Sequence, residues 1–115
     1  MANALSENRK AYFNYEILET FEAGIELKGY EVKAVKSGKA SLTGAFATIH
    51  DNQIWLTGAD IPPYQPKNTP PDYDPTRSRR LLLKKSEISY LIGKIQAERL
   101  TVVPLKLYNK GGRIK

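Results

Sequence analysis

The sequence predicts a mainly-β fold, a small β-barrel or a sandwich, with two short helices between the strands. Short segments that alternate apolar and polar residues are separated by turn signals, as is typical of antiparallel sheets. Two further segments have apolar residues at helical spacing, but they do not alternate regularly with strands as βαβ units do. With 115 residues, the chain fits one domain, predicted to span residues 1–115.

Three regions carry the strand signal. Residues 24–29, GIELKG, alternate between apolar and charged side chains. Residues 46–61, FATIHDNQIWLTGADI, alternate on both sides of the turn signal at 51–53, which predicts a β-hairpin. Residues 100–108, LTVVPLKLY, predict a later strand, and the NKGG turn after it leads into the beginning of another strand at 113–115.

Two regions carry the helix signal. Residues 30–40, YEVKAVKSGKA, have helical spacing, and Gly38 stands where a short helix needs a left-handed residue after its end. Residues 86–99, SEISYLIGKIQAER, predict a second helix with Ser86 as its N-cap. Its apolar stripe follows the i, i+3, i+4, i+7 pattern and consists of Ile88, Leu91, Ile92 and Ile95.

Residues 62–77, PPYQPKNTPPDYDPTR, predict a long surface loop. Six of the seven prolines lie in it, and proline lacks the N–H that a helix or a central strand needs. Asp72 and Asp74 also lie here, but two carboxylates at this spacing do not match a cation-binding loop. A turn-forming aspartate before Pro75 is the favoured interpretation.

Enzymatic chemistry is not favoured. The chain has one histidine, His50, beside the predicted hairpin turn, and no cysteine, so most acid–base, nucleophile and zinc arrangements have no residues to form them. We therefore expect no catalytic residue, metal or cofactor. Without cysteine, a signal-peptide pattern or a long apolar run, the sequence predicts no membrane span and a cytoplasmic location.

Charge is the first functional clue. The net charge is +6, and residues 61–115 hold twelve Lys and Arg against four Asp and Glu. Such an imbalance indicates a polyanionic partner, although a solvated basic surface that only aids solubility is the alternative.

Three basic clusters favour RNA as that partner. The first, in residues 76–85 (TRSRRLLLKK), comprises Arg77, Arg79, Arg80, Lys84 and Lys85. The second is Asn8, Arg9 and Lys10, and the third is Lys33, Lys36 and Lys39. Arginine and lysine both suit phosphate oxygens, and aromatic residues that follow the second cluster, among them Tyr15, could stack on unpaired bases. We expect the arginines to be exposed and Leu82 to be buried as a core anchor.

Several blocks of the sequence together resemble the small protein B (SmpB) family, the SsrA-binding proteins of bacterial trans-translation. The blocks are NRKAYFNY, FEAGIELKGYEVKAVKSGKASL, IPPY, DPTRSRRLLLKKSEISYLIGKI and LTVVPLKLYNKGGRIK, and they cover nearly the whole chain. The resemblance implies an OB-fold-like antiparallel β-barrel with two or three short helices. It also implies binding to the tRNA-like domain of transfer-messenger RNA (SsrA RNA).

The resemblance implies an adaptor role that delivers this RNA to stalled ribosomes. Alanyl-tRNA synthetase and elongation factor Tu would then be indirect partners, through the RNA. Asn8, Glu22 and Leu82 fall on positions that the family associates with RNA binding, whereas Phe13 stands where many relatives have histidine. The family continues with a further strand and a basic tail, and this chain ends at Lys115. A single-stranded nucleic-acid-binding OB module is the alternative.

Overall fold

Strands and short helices follow one another along the chain in the computed structural model, which describes residues 4–63, 65, 67, 69–110 and 113–115. The strands are β1 (Ala4–Glu7), β2 (Gly24–Ile25), β3 (Phe46–His50), β4 (Gln53–Thr57), β5 (Arg79–Leu82), β6 (Lys106–Lys110) and β7 (Arg113–Ile114). The helices are α1 (Arg9–Asn14), α2 (Gly29–Lys36) and α3 (Lys85–Glu98).

The strands form two antiparallel sheets, which confirms the mainly-β prediction. One sheet has the order β1-β6-β7, and the other has the order β2-β5-β4-β3. Strand β2 of one sheet lies close to β7 of the other, but within the described residues no strand ladder joins the two sheets. The expected closed barrel is therefore not confirmed.

The predicted hairpin is confirmed by β3 and β4, which pair from Phe46 opposite Thr57 to His50 opposite Gln53. Asp51 and Asn52 connect the strands with φ angles of 52° and 57°. Two consecutive positive φ angles match the twist of a tight hairpin, and Asp and Asn tolerate them better than most residues. His50 is exposed beside this turn.

Helix α2 confirms the predicted short helix and the glycine after its end, although it begins one residue earlier, at Gly29. The Glu31 carboxylate accepts a hydrogen bond of 2.8 Å from the Lys28 backbone N–H and so caps the first turn. Ala34 and Val35 are buried, as the helical spacing indicates. Gly38 follows the helix with φ of 81°, the left-handed conformation that favours glycine after a helix end.

The predicted N-cap of α3 is wrong. The helix begins at Lys85, so Lys84 and not Ser86 occupies the capping position. Glu87 accounts for this difference, because its side chain accepts a hydrogen bond of 3.1 Å from the Lys84 backbone N–H. The predicted stripe still faces the core, with Ile88 and Leu91 buried.

The two ends of the chain show the largest departures from the predicted elements. The sequence patterns indicate neither strand β1 nor helix α1, and the predicted strand at 100–108 is regular only in β6. Pro104 cannot donate to a ladder, but the irregular segment is still paired, since the Val102 carbonyl accepts from the Ala47 N–H at 2.8 Å. β6 pairs with β7 as predicted, while the connecting residues 111 and 112 lie outside the described chain.

Both sheets contribute to one hydrophobic core. Leu56 from the β2-β5-β4-β3 sheet and Leu107 from the β1-β6-β7 sheet belong to the same buried cluster, together with Val35 of α2. A smaller cluster places Ile88 and Leu91 of α3 against Ile54 of β4. Shared burial of this kind helps to hold the two sheets together.

Where the structure describes the proline-rich segment 62–77, none of the helices and strands lies in it, which agrees with the predicted loop. Asp74 accepts hydrogen bonds of 3.0 Å from both the N–H and the hydroxyl of Thr76, and this turn explains its place before proline. In the described residues, no group of three or more His, Cys, Asp or Glu could hold a metal ion. No helix in that part of the chain is long and apolar enough to cross a membrane.

Candidate RNA-binding site

The basic segment 76–85 sends its side chains to two sides of the domain. Its middle part forms strand β5, in which successive residues point to opposite faces of the sheet. Arg79 is fully buried, whereas the Arg80 side chain is 44% exposed and pairs with Glu26 at 3.0 Å. The strand periodicity therefore divides one basic run into an internal and an external part.

Arg79 corrects an expectation of the sequence analysis, because its guanidinium is inside the protein and cannot touch RNA in this fold. It donates to the Glu31 carboxylate at 2.7 and 2.9 Å. It also donates to the carbonyls of Ala59 and Pro75 at 3.0 and 2.9 Å. With these acceptors, Arg79 forms the centre of a buried hydrogen-bond network that stabilises the fold.

Glu31 completes this centre and is also fully buried. Burial by itself would raise the pKa of its carboxyl, but hydrogen bonds from Arg77, the Lys28 N–H and Arg79 lower that pKa to about 2. The Tyr73 hydroxyl donates to Glu31 at 3.0 Å; burial and the charge of Glu31 raise the pKa of Tyr73 to about 12. The network ties the long loop to α2 and β5.

Arg77 also differs from the expected exposed site residue. Its side chain is 30% exposed and forms an ion pair with Glu31. Its Nε and Nη2 groups donate to the Glu31 carboxylate, so this part of the guanidinium is engaged inside the protein and is not available to a ligand.

Leu82 is the opposite correction. The sequence analysis places it in the core as an anchor for the segment, but it is 47% exposed. It pairs with Gly24 of β2, and a Cβ at Gly24 would lie 3.1 Å from the Leu82 Cβ. Glycine at this position lets the leucine lie directly over the neighbouring strand. An exposed leucine in a basic surface is suited to contact a nucleotide.

An open depression brings five of the predicted site residues together. These are Glu22, Arg80, Leu82, Lys84 and Lys85. Its other lining residues are Gly24, Gln53, Leu81, Leu83, Glu87, Ile88 and Lys115. Three of the five are cationic, one is apolar and one is an acceptor, a combination that can contact phosphate, sugar and base.

Glu22 is held by β6. Its carboxylate accepts a hydrogen bond from the Tyr108 hydroxyl and contacts Lys110 Nζ at 3.3 Å. The hydrogen bond from Tyr108, followed by that from Lys110, lowers the pKa of Glu22, while the same contact with Glu22 raises the pKa of Tyr108. The carboxylate is therefore ionised at neutral pH and can only accept hydrogen bonds.

The N-terminal cluster lies on and just before α1. Arg9, Lys10 and Tyr15 are exposed, but Asn8 is 4% exposed. The Asn8 amide donates to the Pro104 carbonyl at 3.0 Å, and its backbone N–H donates to Leu105 at 2.7 Å. As placed, Asn8 anchors α1 and does not present a surface contact, which corrects its prediction as a contact residue.

The third cluster occupies α2 and the residues after it. Lys33, Lys36 and Lys39 are all exposed, but none of them lines the depression. The three sequence clusters therefore do not merge into one depression, and only the exposed part of the first cluster contributes to it.

Sequence reasoning missed three residues near the C-terminal end. Tyr108 and Lys110 of β6 contact Glu22, and Lys115, which follows β7, lines the depression. The one available signal was the spacing of Lys106, Tyr108 and Lys110 in β6, because alternate residues of a strand share a face. That spacing does not reveal which distant side chain the face will meet.

A mainly-β domain with a cationic, partly apolar open depression is typical of proteins that bind a polyanion through their surface. Residues 5–115 match the family model described as SmpB protein. The chain belongs to the SmpB family.

Individual relatives agree with this assignment. The chain is 50% identical over 111 residues to the SsrA-binding protein of Thermosynechococcus vestitus, covering 96% of this chain and 73% of that protein. It is 56% identical over 109 residues to the SsrA-binding protein of Chlorobaculum tepidum, covering 94% of this chain and 69% of that protein. A chain in the solved structure "tmRNA-SmpB: a journey to the center of the bacterial ribosome" superimposes with a TM-score of 0.74 and 48% identity, covering 94% of this chain and 76% of that chain.

Proposed function

We propose that the chain is an RNA-binding adaptor of trans-translation, which binds the tRNA-like domain of transfer-messenger RNA and brings it to stalled ribosomes. The observation that carries the proposal is the depression, where Leu82 and Glu22 lie beside Arg80, Lys84 and Lys85. The SsrA-binding names of the relatives and the tmRNA–ribosome context of the similar structure support the same partners.

Each kind of side chain in the depression has a separate task in this proposal. The three cations contact phosphate oxygens and release counterions, which provides most of the affinity. The exposed Leu82 packs against a sugar or an unstacked base. Glu22 accepts hydrogen bonds from base or ribose donors. These bonds favour one orientation of the RNA, and they favour RNA over a polyanion that has no such donors.

Further parts of the proposal concern the scaffold. The shared core of the two sheets and the proximity of β2 to β7 support a single domain in which the sheets are the two halves of an OB-like barrel. The adaptor has no catalytic step of its own and needs no cofactor, and its ribosomal partner implies a cytoplasmic location.

The experiment that tests the function compares two triple variants that each remove three positive charges. Arg80→Gln/Lys84→Gln/Lys85→Gln removes the cations of the depression, and Lys33→Gln/Lys36→Gln/Lys39→Gln is the charge-matched control on α2. Binding of labelled tRNA-like domain is measured by fluorescence anisotropy at several salt concentrations. We expect the depression variant to bind more weakly than the control and to reduce the salt slope by about 0.7 to 0.9 for each phosphate that is no longer neutralised.

Two results would contradict the proposal. Equal losses of affinity in the two variants would mean that net charge and not the depression determines binding. Equally effective competition by unstructured single-stranded DNA would favour the alternative of a general single-stranded nucleic-acid-binding module, which binds by stacking without regard to RNA shape.

A further inference from the structure

Glu22 lies in a part of the chain that has little to fix its side chain locally. Residues 15–23 form no helix or strand between α1 and β2, and Glu22 is exposed. A glutamate in such a segment ordinarily samples several rotamers, and ordering it on binding costs conformational entropy. The contacts that restrain Glu22 come from residues far along the chain, at positions 108 and 110.

Strand β6 is a firm support for these contacts. It is the central strand of the β1-β6-β7 sheet, and the backbone of Tyr108 exchanges two hydrogen bonds with Lys115, at 2.9 and 3.1 Å. Tyr108 and Lys110 are two residues apart, so both side chains leave the strand on the same face. Lys106, one step back on that face, places its Nζ 6.0 Å from the centre of the Tyr108 ring.

From this geometry we infer that Tyr108 and Lys110 are positioning residues for Glu22, which hold its carboxylate at the rim of the depression as a pre-oriented hydrogen-bond acceptor for the RNA. The inference rests on the proposed function and deepens it. The Tyr108 hydroxyl donates a hydrogen bond to Oε2 of the Glu22 carboxylate, and Lys110 Nζ lies 3.3 Å from both carboxylate oxygens. Acceptor capacity remains for base or ribose donors.

The surrounding charges explain why the acceptor needs support. Glu22 shares the depression with one other carboxylate, Glu87, and with four cationic side chains, those of Arg80, Lys84, Lys85 and Lys115. An unrestrained carboxylate among these cations would turn toward them and cancel the charges that attract phosphate. Contacts with Tyr108 and Lys110 keep it at one place in this field, and the lowered pKa of Glu22 agrees with a carboxylate that stays ionised there.

The first test needs no RNA. The side-chain carboxyl of Glu22 is titrated by ¹³C NMR in the full chain and in Tyr108→Phe, Lys110→Gln and Lys106→Gln. We expect its pKa to lie below 4.5 in the unaltered chain, to rise in Tyr108→Phe and Lys110→Gln, and to change least in Lys106→Gln. If Tyr108→Phe and Lys110→Gln leave the pKa unchanged, the two side chains do not restrain Glu22 and the inference is wrong.

The second test is a double-mutant cycle with labelled tRNA-like domain. Tyr108→Phe alone should weaken binding by about 3- to 10-fold, the size of one net hydrogen bond. In the Glu22→Gln background the same change should have an effect below about 2-fold, because the carboxylate that Tyr108 positions is already gone. Lys110→Arg should retain binding where Lys110→Gln loses it, and Lys106→Gln controls for the loss of one charge on the same strand face.

The outcomes separate the inference from the function on which it rests. If the unaltered chain binds the RNA but the effects of Tyr108→Phe and Glu22→Gln add, Tyr108 acts independently and only the inference fails. If the unaltered chain does not bind the RNA, the proposed function fails as well, whatever the NMR titration shows. Thermal melts of all variants check that each is folded. Should Tyr108→Phe unfold the domain, the comparison of Lys110→Gln with Lys110→Arg still tests the inference.

Discussion

Two glutamates of this chain form the same kind of cluster in opposite surroundings. Glu31 accepts hydrogen bonds from a tyrosine and two arginines and is completely buried. Glu22 accepts from a tyrosine and a lysine and is exposed. Inside the domain, the cluster has every partner that it needs and joins three segments. At the surface, the cluster leaves acceptor capacity open beside a cationic depression.

The comparison shows that burial determines what such a cluster can do. A buried charge must be fully paired, because leaving one partner unpaired costs several kcal/mol. A buried glutamate therefore cannot exchange a partner for a ligand without destabilising the fold. An exposed pair contributes little to stability, because water screens it. It is therefore free to serve binding. The adjacent residues Arg79 and Arg80 repeat this division within one strand.

The largest expected effect breaks the buried cluster. Arg79→Met should lower the free energy of unfolding by about 3 to 5 kcal/mol, since it leaves Glu31 without its fully buried partner. Urea denaturation measures this, and Arg80→Met is the neighbouring control, expected to change stability by less than about 0.5 kcal/mol. Similar destabilisation in the two variants would refute the assignment of Arg79 to the interior and Arg80 to the surface.

The second prediction uses pH. The pKa of Glu31 in the folded protein is about 2, below its ordinary value of 4.5, so the unfolded chain binds the proton more readily. Stability from this group is complete above pH 4.5 and is lost as the pH falls toward 2, by about 3 kcal/mol in all. In Glu31→Gln, which is less stable at neutral pH, this part of the acid dependence should disappear.

Urea denaturation of both proteins between pH 6 and pH 3 isolates this contribution, because the other carboxylates are common to them. The difference in unfolding free energy between the unaltered chain and Glu31→Gln should shrink as the pH falls. A difference that stays constant with pH would show that the Glu31 carboxyl is not stabilised as an anion in the folded state.

The third prediction concerns Leu82, the exposed leucine of the depression. Leu82→Ala should reduce RNA affinity by about 5- to 30-fold, the equivalent of about 1 to 2 kcal/mol of apolar burial on binding. Its stability should change by less than about 1 kcal/mol. Ile54→Ala is the buried control, since Ile54 is 1% exposed and its truncation should cost about 2 to 5 kcal/mol of stability. If Leu82→Ala melted at as low a temperature as Ile54→Ala, Leu82 would be a core residue and not a surface contact.

The smallest expected effect tests the exposed arginine. Arg80 pairs with Glu26, and both side chains are well exposed, so Glu26→Gln should barely alter stability. Because it releases Arg80 and removes a negative charge near the depression, RNA affinity should rise by about 2-fold at low salt and by less at high salt. Reduced affinity in Glu26→Gln would instead assign Glu26 a direct task in binding.

Much of the fold follows from local patterns. The hairpin at residues 46–57, helix α2 with its glycine after the end, and the apolar stripe of α3 were all predicted and confirmed. In each case neighbours in sequence determine the structure, through turn geometry, helix capping or periodicity. The predicted N-cap of α3 was wrong because Glu87 can cap the backbone from inside the helix, and β1 and α1 were missed because too few residues carry their pattern.

Sequence patterns alone were enough to predict the family, the mainly-β class, and the basic and apolar composition of residues 76–85. Which members of that run lie inside the domain depends on contacts that form only in the folded chain. Arg79 is buried because Glu31, 48 residues away, neutralises it, and Leu82 is exposed because it lies over Gly24 on the outer side of the sheet. Local hydrophobicity predicts the reverse for both residues. The free energy of a buried charge depends on a partner that only the folded chain brings within 3 Å.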